Sequence, residues 1–436
     1  MGIDVPPPLV SRVEPAFTIF VDLRKESAAY SQLYLWNSKT DRMKSLKTSS
    51  VILIVLDSVG CGDASDAAAY GDETCNTLGN IARSVGGLKL PNLTGMGLGH
   101  TTTIQGVPPS NMTIGAYGRL TEVSVGKDTT TGHWELSGVI LEKAFPVYHS
   151  GFPADLMAEY ETRIGRGTLG NYAASGTEII EALGGEHLRT RKPIVYTSAD
   201  SVFQVAAHEE IIPIDELYQL CQIARSLLTG EHAVGRVIAR PFIGQPGNFQ
   251  RTERRRDFSL EPPALTVLDV VKSSGLDVMG VGKIEDIFAH RGLTMSNHAG
   301  NNTAVVDAVL EFLRMEKPGL IFANLVDFDA LYGHRNNAQG YAKALEAFDH
   351  RLPEILLKMK DEDVLFITAD HGNDPTTKGT DHSRERVPIL VCGEQIKPNV
   401  NLGTRETFAD VASTIADLLS VEWKGSGKSF SREILV

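Results

Sequence analysis

Short apolar runs recur along this chain, and several of them break off abruptly at acidic or histidine residues. The runs at residues 51–56, 320–326 and 364–368 contain few polar positions, as expected for strands buried on both faces of a parallel sheet. Stretches such as residues 303–315 and 341–359 place apolar residues three and four positions apart, which predicts amphipathic helices. The alternation of these patterns predicts an α/β fold, with a mainly parallel sheet flanked by helices.

The middle of the chain departs from this alternation. Residues 143–265 hold further strand-like segments, one helical stretch and a basic loop, RTERRRDFS. We interpret them as a smaller α/β cap domain inserted into a core made of residues 49–142 and 266–436, because acidic strand ends lie on both sides of the block. Residues 1–48 are Pro-rich at their start and show no period, which predicts either a poorly ordered N-terminal extension or a natural translation start at Met43.

Acidic and imidazole side chains follow three of the apolar runs, and the carboxyl ends of parallel strands meet at one edge of a sheet. A single Asp after a strand is more often a helix cap or a turn residue, so each candidate is weak alone. Their combination predicts a metal site. The candidate ligands are Asp57, Asp329, His334, Asp370, His371 and His382, with Asp327 as an ambiguous neighbour of Asp329.

The number and type of these ligands favour two divalent ions. Two ions bring four positive charges and three carboxylates return three negative charges, which leaves a site that attracts phosphate. One ion could not use six protein ligands and still keep an open position for a substrate. Oxygen and imidazole ligands without thiolate favour Mn²⁺ or Mg²⁺, with Zn²⁺ as the alternative.

Composition excludes several other functions. The formal net charge of −12 argues against general nucleic-acid binding, which needs a basic surface. No stretch approaches the roughly 18 apolar residues of a membrane-spanning helix, so we expect no membrane association. The four cysteines are scattered without a CxxC pair, which indicates neither a zinc–thiolate site nor a disulfide framework and favours a reducing cytoplasm.

A glycine-bounded loop with three threonines, GKDTTTGHWE, occupies residues 126–135. It is either a turn with exposed polar side chains or a loop that presents a threonine nucleophile, whose alkoxide the metal ions would stabilise. The residues alone do not separate these two interpretations.

From about Val51 to its end, the chain resembles the prokaryotic-type phosphopentomutases, a metal-dependent family of the alkaline phosphatase superfamily. Cys61 and Cys75 stand where the family more often has aliphatic or small residues, and Asn76 replaces a usual Asp. These positions are not ligand candidates. The motifs that carry the resemblance include LIVLDSVGCGDASDAAAYGD, GKDTTTGHWE, YTSADSVFQVAAHE, GRVIARPFIG, NLVDFDALYGHR and TADHGNDPTTKGTDHSRE.

The resemblance implies an alkaline-phosphatase-like core and an isomerase that interconverts ribose or deoxyribose 1-phosphate and 5-phosphate. A phosphothreonine at Thr129 and a pentose bisphosphate would be the intermediates, and a sugar bisphosphate such as glucose 1,6-bisphosphate would be the activator. The metals would be two Mn²⁺, with Mg²⁺ or another divalent ion as the alternative.

The resemblance also implies a role for each site residue. One metal would be held by Asp57, Asp370 and His371 together with Thr129. The other would be held by Asp329, His334 and His382. Sugar-phosphate contacts would come from Asp200, Arg236, Arg251 and Lys283.

Two other functions fit part of the pattern. A cofactor-independent phosphoglycerate mutase or a plain phosphatase would use a similar core. A serine nucleophile would favour the mutase, but the loop GKDTTTGHWE offers threonines instead. The absence of a secretion signal argues against a periplasmic phosphatase. A catalytically silent sugar-phosphate-binding protein would bind metal without turnover, which the complete set of ligand candidates argues against. The preference between ribose and deoxyribose and the oligomeric state stay open.

Overall fold

The structure is a computed structural model that describes residues 48–198 and 201–436. Nearly all of the expected N-terminal extension, residues 1–47, lies outside the described residues, and so does the expected substrate contact Asp200. None of the helices in the described part of the chain is both long and apolar enough to cross a membrane.

Fourteen strands and thirteen α-helices make up the described residues. The strands are β1 Ser50–Leu56, β2 Ala116–Leu120, β3 Leu169–Ala173, β4 Ile194–Thr197, β5 Val202–His208, β6 Arg236–Gln245, β7 Asn248–Arg251, β8 Arg256–Ser259, β9 Asp277–Val281, β10 Met295–Asn297, β11 Gly319–Leu325, β12 Asp363–Thr368, β13 Val387–Cys392 and β14 Val400–Arg405. The helices are α1 Ala67–Tyr70, α2 Thr77–Val85, α3 Pro91–Met96, α4 Thr129–Leu136, α5 Ala154–Ile164, α6 Gly176–Thr190, α7 Ile214–Leu227, α8 Val267–Ser273, α9 Ile284–Ile287, α10 Asn302–Arg314, α11 Ala338–Lys358, α12 Asp410–Leu419 and α13 Ser431–Ile434.

The larger sheet has eight strands in the order β10-β9-β11-β1-β12-β13-β2-β14. The first five strands of this order run parallel, and β13 is antiparallel to both of its neighbours. Helices α10 and α11 pack together beside β11, and α8 and α12 pack together beside β1, β9 and β11. The expected α/β class with a mainly parallel sheet is therefore confirmed.

The three central strands of this sheet are in register at their carboxyl ends. Val55 on β1 pairs with Asn324 on β11 and with Thr368 on β12. All three strands are buried along their whole length, which explains their continuous apolar sequences. Residues that follow these strands consequently emerge side by side at one edge of the sheet.

A second sheet has six strands, in the order β3-β4-β5-β6-β7 with β8 also pairing with β6. Its strands are partly parallel and partly antiparallel, and helices α5, α6 and α7 pack against it. All six strands lie between residues 169 and 259, within the segment expected to form the cap. The boundaries at residues 143 and 265 stay a prediction.

Asp349 on α11 offers a test of how the core helices are held together. Its buried carboxylate accepts hydrogen bonds from Asn92 N, Asn92 Nδ2 and Leu93 N of α3, at 3.2, 3.0 and 2.8 Å. We expect Asp349→Ala to lower the free energy of unfolding by about 2–4 kcal/mol, because buried N–H donors lose their acceptor. Chemical denaturation followed by circular dichroism measures this loss.

Glu346 provides the control, since it lies one helical turn earlier and accepts from Lys89 N at 3.0 Å on the exposed side. Glu346→Ala should change the free energy of unfolding by less than about 1 kcal/mol. Equal losses of unfolding free energy in the two variants would show that burial of the Asp349 carboxylate does not increase its contribution to stability.

Candidate active site

A backbone hydrogen bond connects two carboxylates that follow neighbouring strands. Asp57 follows β1 directly, Asp370 follows β12 after one intervening residue, and both are fully buried. Ser58 N donates to Asp370 Oδ1 at 3.0 Å, and Ser58 adopts a left-handed φ of +73°. Because that conformation is unfavourable for a residue with a side chain, it marks a backbone turn that the surrounding structure holds in place.

Asp329 and His334 come from an irregular segment after β11. Asp329 lies in a π-helical stretch, Phe328–Tyr332, and His334 lies in the 3₁₀ turn that follows. His334 Nε2 is 3.1 Å from Asp329 Oδ2, and His382 Nε2 is 3.4 Å from Asp329 Oδ1. Asn373 Nδ2 also donates to Asp329 Oδ1, at 3.0 Å. π-helical turns are rare and frequently occur at functional sites.

His371 joins these two groups into one cluster. Its Nε2 lies 3.5 Å from Asp57 Oδ1 and 3.3 Å from Asp370 Oδ2. The same atom is 3.2 Å from Thr129 Oγ1, and the His371 and His382 rings are 4.1 Å apart. The structure thus brings all six ligand candidates of the sequence together.

Two sets of ligand atoms are close enough to hold an ion. One comprises Asp329, His334 and His382, and the other comprises Asp57, Asp329 and His371, each with its ligand atoms within 4.8 Å of one another. Asp329 belongs to both sets, whereas the family resemblance assigns Asp370 to the second. Asp57 Oδ1 is buried without a hydrogen-bond partner, which fits a metal-binding role. The division of ligands between ions stays a prediction.

Charge pairing dominates the electrostatics of the cluster. Burial would raise the pKa of Asp329, but hydrogen bonds from His334 and His382 hold that pKa well below its usual range. Burial would lower the pKa of His371, but the carboxylates of Asp370 and Asp57 raise it well above its usual range. Because metal ligation needs unprotonated imidazoles, ion binding should release protons and strengthen as the pH rises.

Of the three threonines in the glycine-bounded loop, Thr129 contacts the cluster. It is the first residue of α4, after the N-cap residue Asp128. The Thr131 hydroxyl donates to Asp128 Oδ2 at 2.5 Å, and Thr130 N and Thr131 N both donate to Asp128 Oδ1 at 3.1 Å. The helix cap therefore engages Thr131, while the Thr129 hydroxyl faces His371.

Lys283 lies at the cluster itself. It precedes α9, and its Nζ is 3.2 Å from Asp57 Oδ2. Burial would lower the pKa of Lys283, but Asp57 and Asp329 outweigh this effect and raise it. The family resemblance implies that Lys283 contacts the sugar phosphate, and this role stays a prediction; in the structure its charge lies beside the Asp57 carboxylate.

Arg236 and Arg251, two of the expected substrate contacts, belong to the second sheet. Strand pairing of Asp257 with Ile238 and of Arg251 with Phe242 puts these side chains on the same face as Arg236. Arg236 Nη1 is 3.5 Å from Asp257 Oδ2. A cleft of about 490 Å³ opens beside Arg251; its lining residues are Arg240, Pro241, Arg251, Thr252 and Arg255. Sequence reasoning missed Arg240 and Arg255, although the basic loop already signalled local positive charge.

A buried arginine, also missed, anchors the threonine loop. The Arg384 side chain is 2% exposed and pairs with Glu122 at 2.6 Å and with Asp66 at 3.0 Å. It also donates to the carbonyl oxygen of Gly126 at 2.6 Å. Since Arg384 is two residues beyond His382, it connects the loop before Thr129 to the metal-ligand segment. Nothing in its sequence context distinguishes it from an exposed arginine.

Similar proteins point to one family. Residues 49–423 match the family model described as "Metalloenzyme superfamily". A phosphopentomutase of Carboxydothermus hydrogenoformans is 61% identical over 384 residues, which cover 88% of this chain and 99% of the relative. A phosphopentomutase of Acetivibrio thermocellus is 59% identical over 384 residues, with the same coverage of both chains.

The chain belongs to the phosphopentomutase family. As a member of the phosphopentomutase family it is an isomerase. The metalloenzyme match and the two ligand sets together indicate that it uses divalent metal.

Solved structures show more distant likenesses. The PH0037 protein from Pyrococcus horikoshii aligns with a TM-score of 0.45 at 16% identity, covering 88% of this chain and 100% of that chain. A Leishmania mexicana phosphoglycerate mutase aligns with a TM-score of 0.42 at 14% identity, covering 88% and 98%. These likenesses add nothing to the family assignment.

The shared position of Asp329 leads to a prediction about metal binding. We expect Asp329→Ala to weaken the binding of both ions by more than about 100-fold, because loss of even an indirect partner of a metal ligand costs about 10–100-fold. His334→Ala should weaken only one ion. Calorimetric titration with Mn²⁺ gives the affinity and stoichiometry of each variant.

Asp327→Ala is the matched control, because Asp327 is two residues away and its carboxylate accepts from Asn302 N at 2.9 Å. This variant should keep both Mn²⁺ affinities. If Asp329→Ala still binds one ion with the affinity of the wild type, Asp329 is not a ligand of both ions.

Proposed function

We propose that the protein interconverts the 1-phosphate and 5-phosphate of ribose or 2-deoxyribose, and that Thr129 carries the phosphoryl group. The observation that supports this most is the Thr129 hydroxyl, 3.2 Å from His371 Nε2 inside the carboxylate–imidazole cluster. The membership of the chain in the phosphopentomutase family supports the choice of substrate.

We assign two divalent ions to the cluster, with Mn²⁺ as the first choice and Mg²⁺ or another divalent ion as the alternative. Carboxylate oxygens and imidazole nitrogens suit these ions, and Asp57 Oδ1, which accepts no hydrogen bond, fits a ligand role. When bound, such ions neutralise phosphate oxygens and stabilise the entering and leaving oxygens of phosphoryl transfer.

Thr129 would hold the phosphoryl group at the start of a helix. It is the first residue of α4, and the dipole of a helix favours a negative charge at its N-terminus. A hydroxyl of the pentose monophosphate attacks the phosphorus on Thr129, the bond between phosphorus and Thr129 Oγ1 breaks, and the proton of the attacking hydroxyl passes to Thr129 Oγ1. The product is a pentose bisphosphate. Thr129 Oγ1 then attacks the other phosphate, its proton passes to the departing sugar oxygen, and the isomeric monophosphate leaves while Thr129 is phosphorylated again.

The remaining contacts would hold the sugar phosphate. Arg236 and Arg251 offer planar guanidinium groups, which bind phosphate through paired hydrogen bonds. Lys283 would add charge at the cluster, and Asp200 would accept hydrogen bonds from sugar hydroxyls. A sugar bisphosphate such as glucose 1,6-bisphosphate would supply the first phosphoryl group to Thr129.

We also propose that the protein works in a reducing cytoplasm. All four cysteines are buried and unpaired in the structure. Burial also raises the pKa of the Cys75 thiol to about 12, which suppresses the reactive thiolate.

The experiment that tests the function follows ribose 5-phosphate and ribose 1-phosphate by phosphorus NMR, with Mn²⁺ and a trace of glucose 1,6-bisphosphate. We expect interconversion by the wild type and a loss of more than about 1,000-fold in Thr129→Ala, because this variant lacks the hydroxyl that would carry the phosphoryl group. Mass spectrometry should find the phosphoryl group on Thr129.

Thr130→Ala is the matched control and should keep most of the activity, since the Thr130 side chain is separate from the contact with His371. Release of inorganic phosphate without isomer exchange would make the protein a phosphatase. Metal binding without any turnover would make it a sugar-phosphate-binding protein.

Arg251 generates a separate prediction about substrate affinity. We expect Arg251→Met to raise the KM for ribose 5-phosphate about 10- to 100-fold, because a charge-assisted hydrogen bond to phosphate is lost. Arg189→Met, at an exposed position on α6 of the same segment, should leave KM unchanged. Steady-state kinetics measures both, and equal KM values in the two variants would remove Arg251 from the substrate site.

A further inference from the structure

His133 is a fully buried imidazole that the proposed mechanism does not use. It lies on α4, one helical turn after Thr129. Its Nδ1 is 2.9 Å from the Thr129 carbonyl oxygen and 3.1 Å from Asp370 Oδ2. Its Nε2 is 3.3 Å from Asn324 Nδ2, and its ring stacks on Phe322 with centroids 5.7 Å apart.

The Thr129 carbonyl oxygen determines that Nδ1 carries a proton. A carbonyl oxygen can only accept, so His133 Nδ1 donates to it at 2.9 Å. Asp370 Oδ2 lies 3.1 Å from the same nitrogen, and Asn324 Nδ2 lies 3.3 Å from Nε2 on the other side of the ring. The imidazole therefore has a defined donor side, which faces the candidate nucleophile and a candidate ligand.

Three separate elements meet at this ring. Asn324 belongs to β11, Asp370 follows β12, and Thr129 opens α4. Asp370 Oδ1 accepts from Ser58 N, and Oδ2 lies 3.1 Å from His133 Nδ1, within ion-pair distance. A single side chain therefore contacts both the Asp370 carboxylate and the Thr129 carbonyl oxygen.

We propose that His133 is a positioning residue: it holds the Asp370 carboxylate and the first turn of α4 in one arrangement, which keeps the Thr129 hydroxyl at the metal cluster. The inference deepens the proposed function and rests on it for the roles of Thr129 and Asp370. Loss of the Nδ1 donor should weaken metal binding and slow phosphoryl transfer, while substrate binding on the second sheet stays intact.

Another buried histidine offers a control for a merely structural role. His187 on α6 is also fully buried, with Nδ1 2.7 Å from Lys192 O and Nε2 accepting from His208 N at 2.8 Å. Its ring packs against Phe242 with centroids 5.6 Å apart. The two histidines have similar surroundings, but His187 touches none of the metal-ligand candidates.

The experiment compares His133→Phe, His133→Asn and His133→Gln with His187→Phe. Phe keeps a ring against Phe322 but has no donor, Asn places its amide nitrogen near the position of Nδ1, and Gln reaches the position of Nε2 instead. For each variant, Mn²⁺ affinity is titrated without substrate, kcat and KM are measured with ribose 5-phosphate, and Tm is recorded.

We expect His133→Phe and His133→Gln to lose about 10- to 100-fold in Mn²⁺ affinity, as is usual for partners of metal ligands. Their kcat should fall by at least about 10-fold with KM nearly unchanged, because ground-state binding is not affected. His133→Asn should recover most of both losses. His187→Phe should lower Tm and leave Mn²⁺ affinity and kcat as in the wild type.

Two results would overturn the proposal. One is a His133→Phe variant with a lower Tm but wild-type Mn²⁺ affinity and kcat, the pattern expected for His187→Phe. The other is an equal loss of Mn²⁺ affinity and kcat in His133→Asn and His133→Gln, a comparison that tests the proposal even if His133→Phe does not fold. Failure of the proposed function is distinguishable, because it would abolish ribose phosphate turnover in the wild type while the Mn²⁺ affinities of the variants still report on His133.

Discussion

Mutual repulsion of buried carboxylates is the constraint on which the rest of the site depends. The parallel register of β11, β1 and β12 brings Asp57, Asp329 and Asp370 to one edge of the sheet, where water cannot screen them. Such a group persists only with compensating positive charge. Lys283 and the imidazoles of the cluster provide that charge within the described residues, and metal ions would provide more.

A second requirement is that loops from distant parts of the chain stay aligned with the strand ends. Neighbouring strands determine where Asp57 and Asp370 emerge, but Thr129 directly follows a loop and His382 lies in one. Arg384 joins these loops through carbonyl oxygens and through Glu122, and burial of that ion pair makes the loss of one partner costly. The catalytic geometry thus depends on side chains that contact neither substrate nor metal.

The fold class and the ligand candidates could be predicted because both follow from strand patterns. A continuous apolar run predicts a buried parallel strand, and an acid at its end stands out against that background, as for Asp57 and Asp370. Thr129 could not be separated from Thr131, since the choice depends on which hydroxyl the Asp128 cap engages. Arg384 could not be predicted, because burial of a charged side chain depends on long-range packing.

The position of Asp329 in both ligand sets could not be predicted from the sequence either. Asp327 and Asp329 are equivalent in pattern, and they separate only because the chain leaves β11 through a π-helical turn rather than an α-helical one. Asp327 then caps the start of α10, with Asn302 N as donor, while Asp329 faces the histidines. Local propensity does not encode such a turn.

That turn has a consequence for how the gene tolerates change. A π-helical turn holds one more residue than an α-helical turn, so deleting one residue of the segment Phe328–Tyr332 other than Asp329 would let the backbone relax into a regular helix. The side chains beyond the deletion would rotate by about 100° around the helix axis relative to those before it. An in-frame loss of a single codon, with every metal-ligand codon intact, would therefore be as damaging as a substitution of a ligand itself.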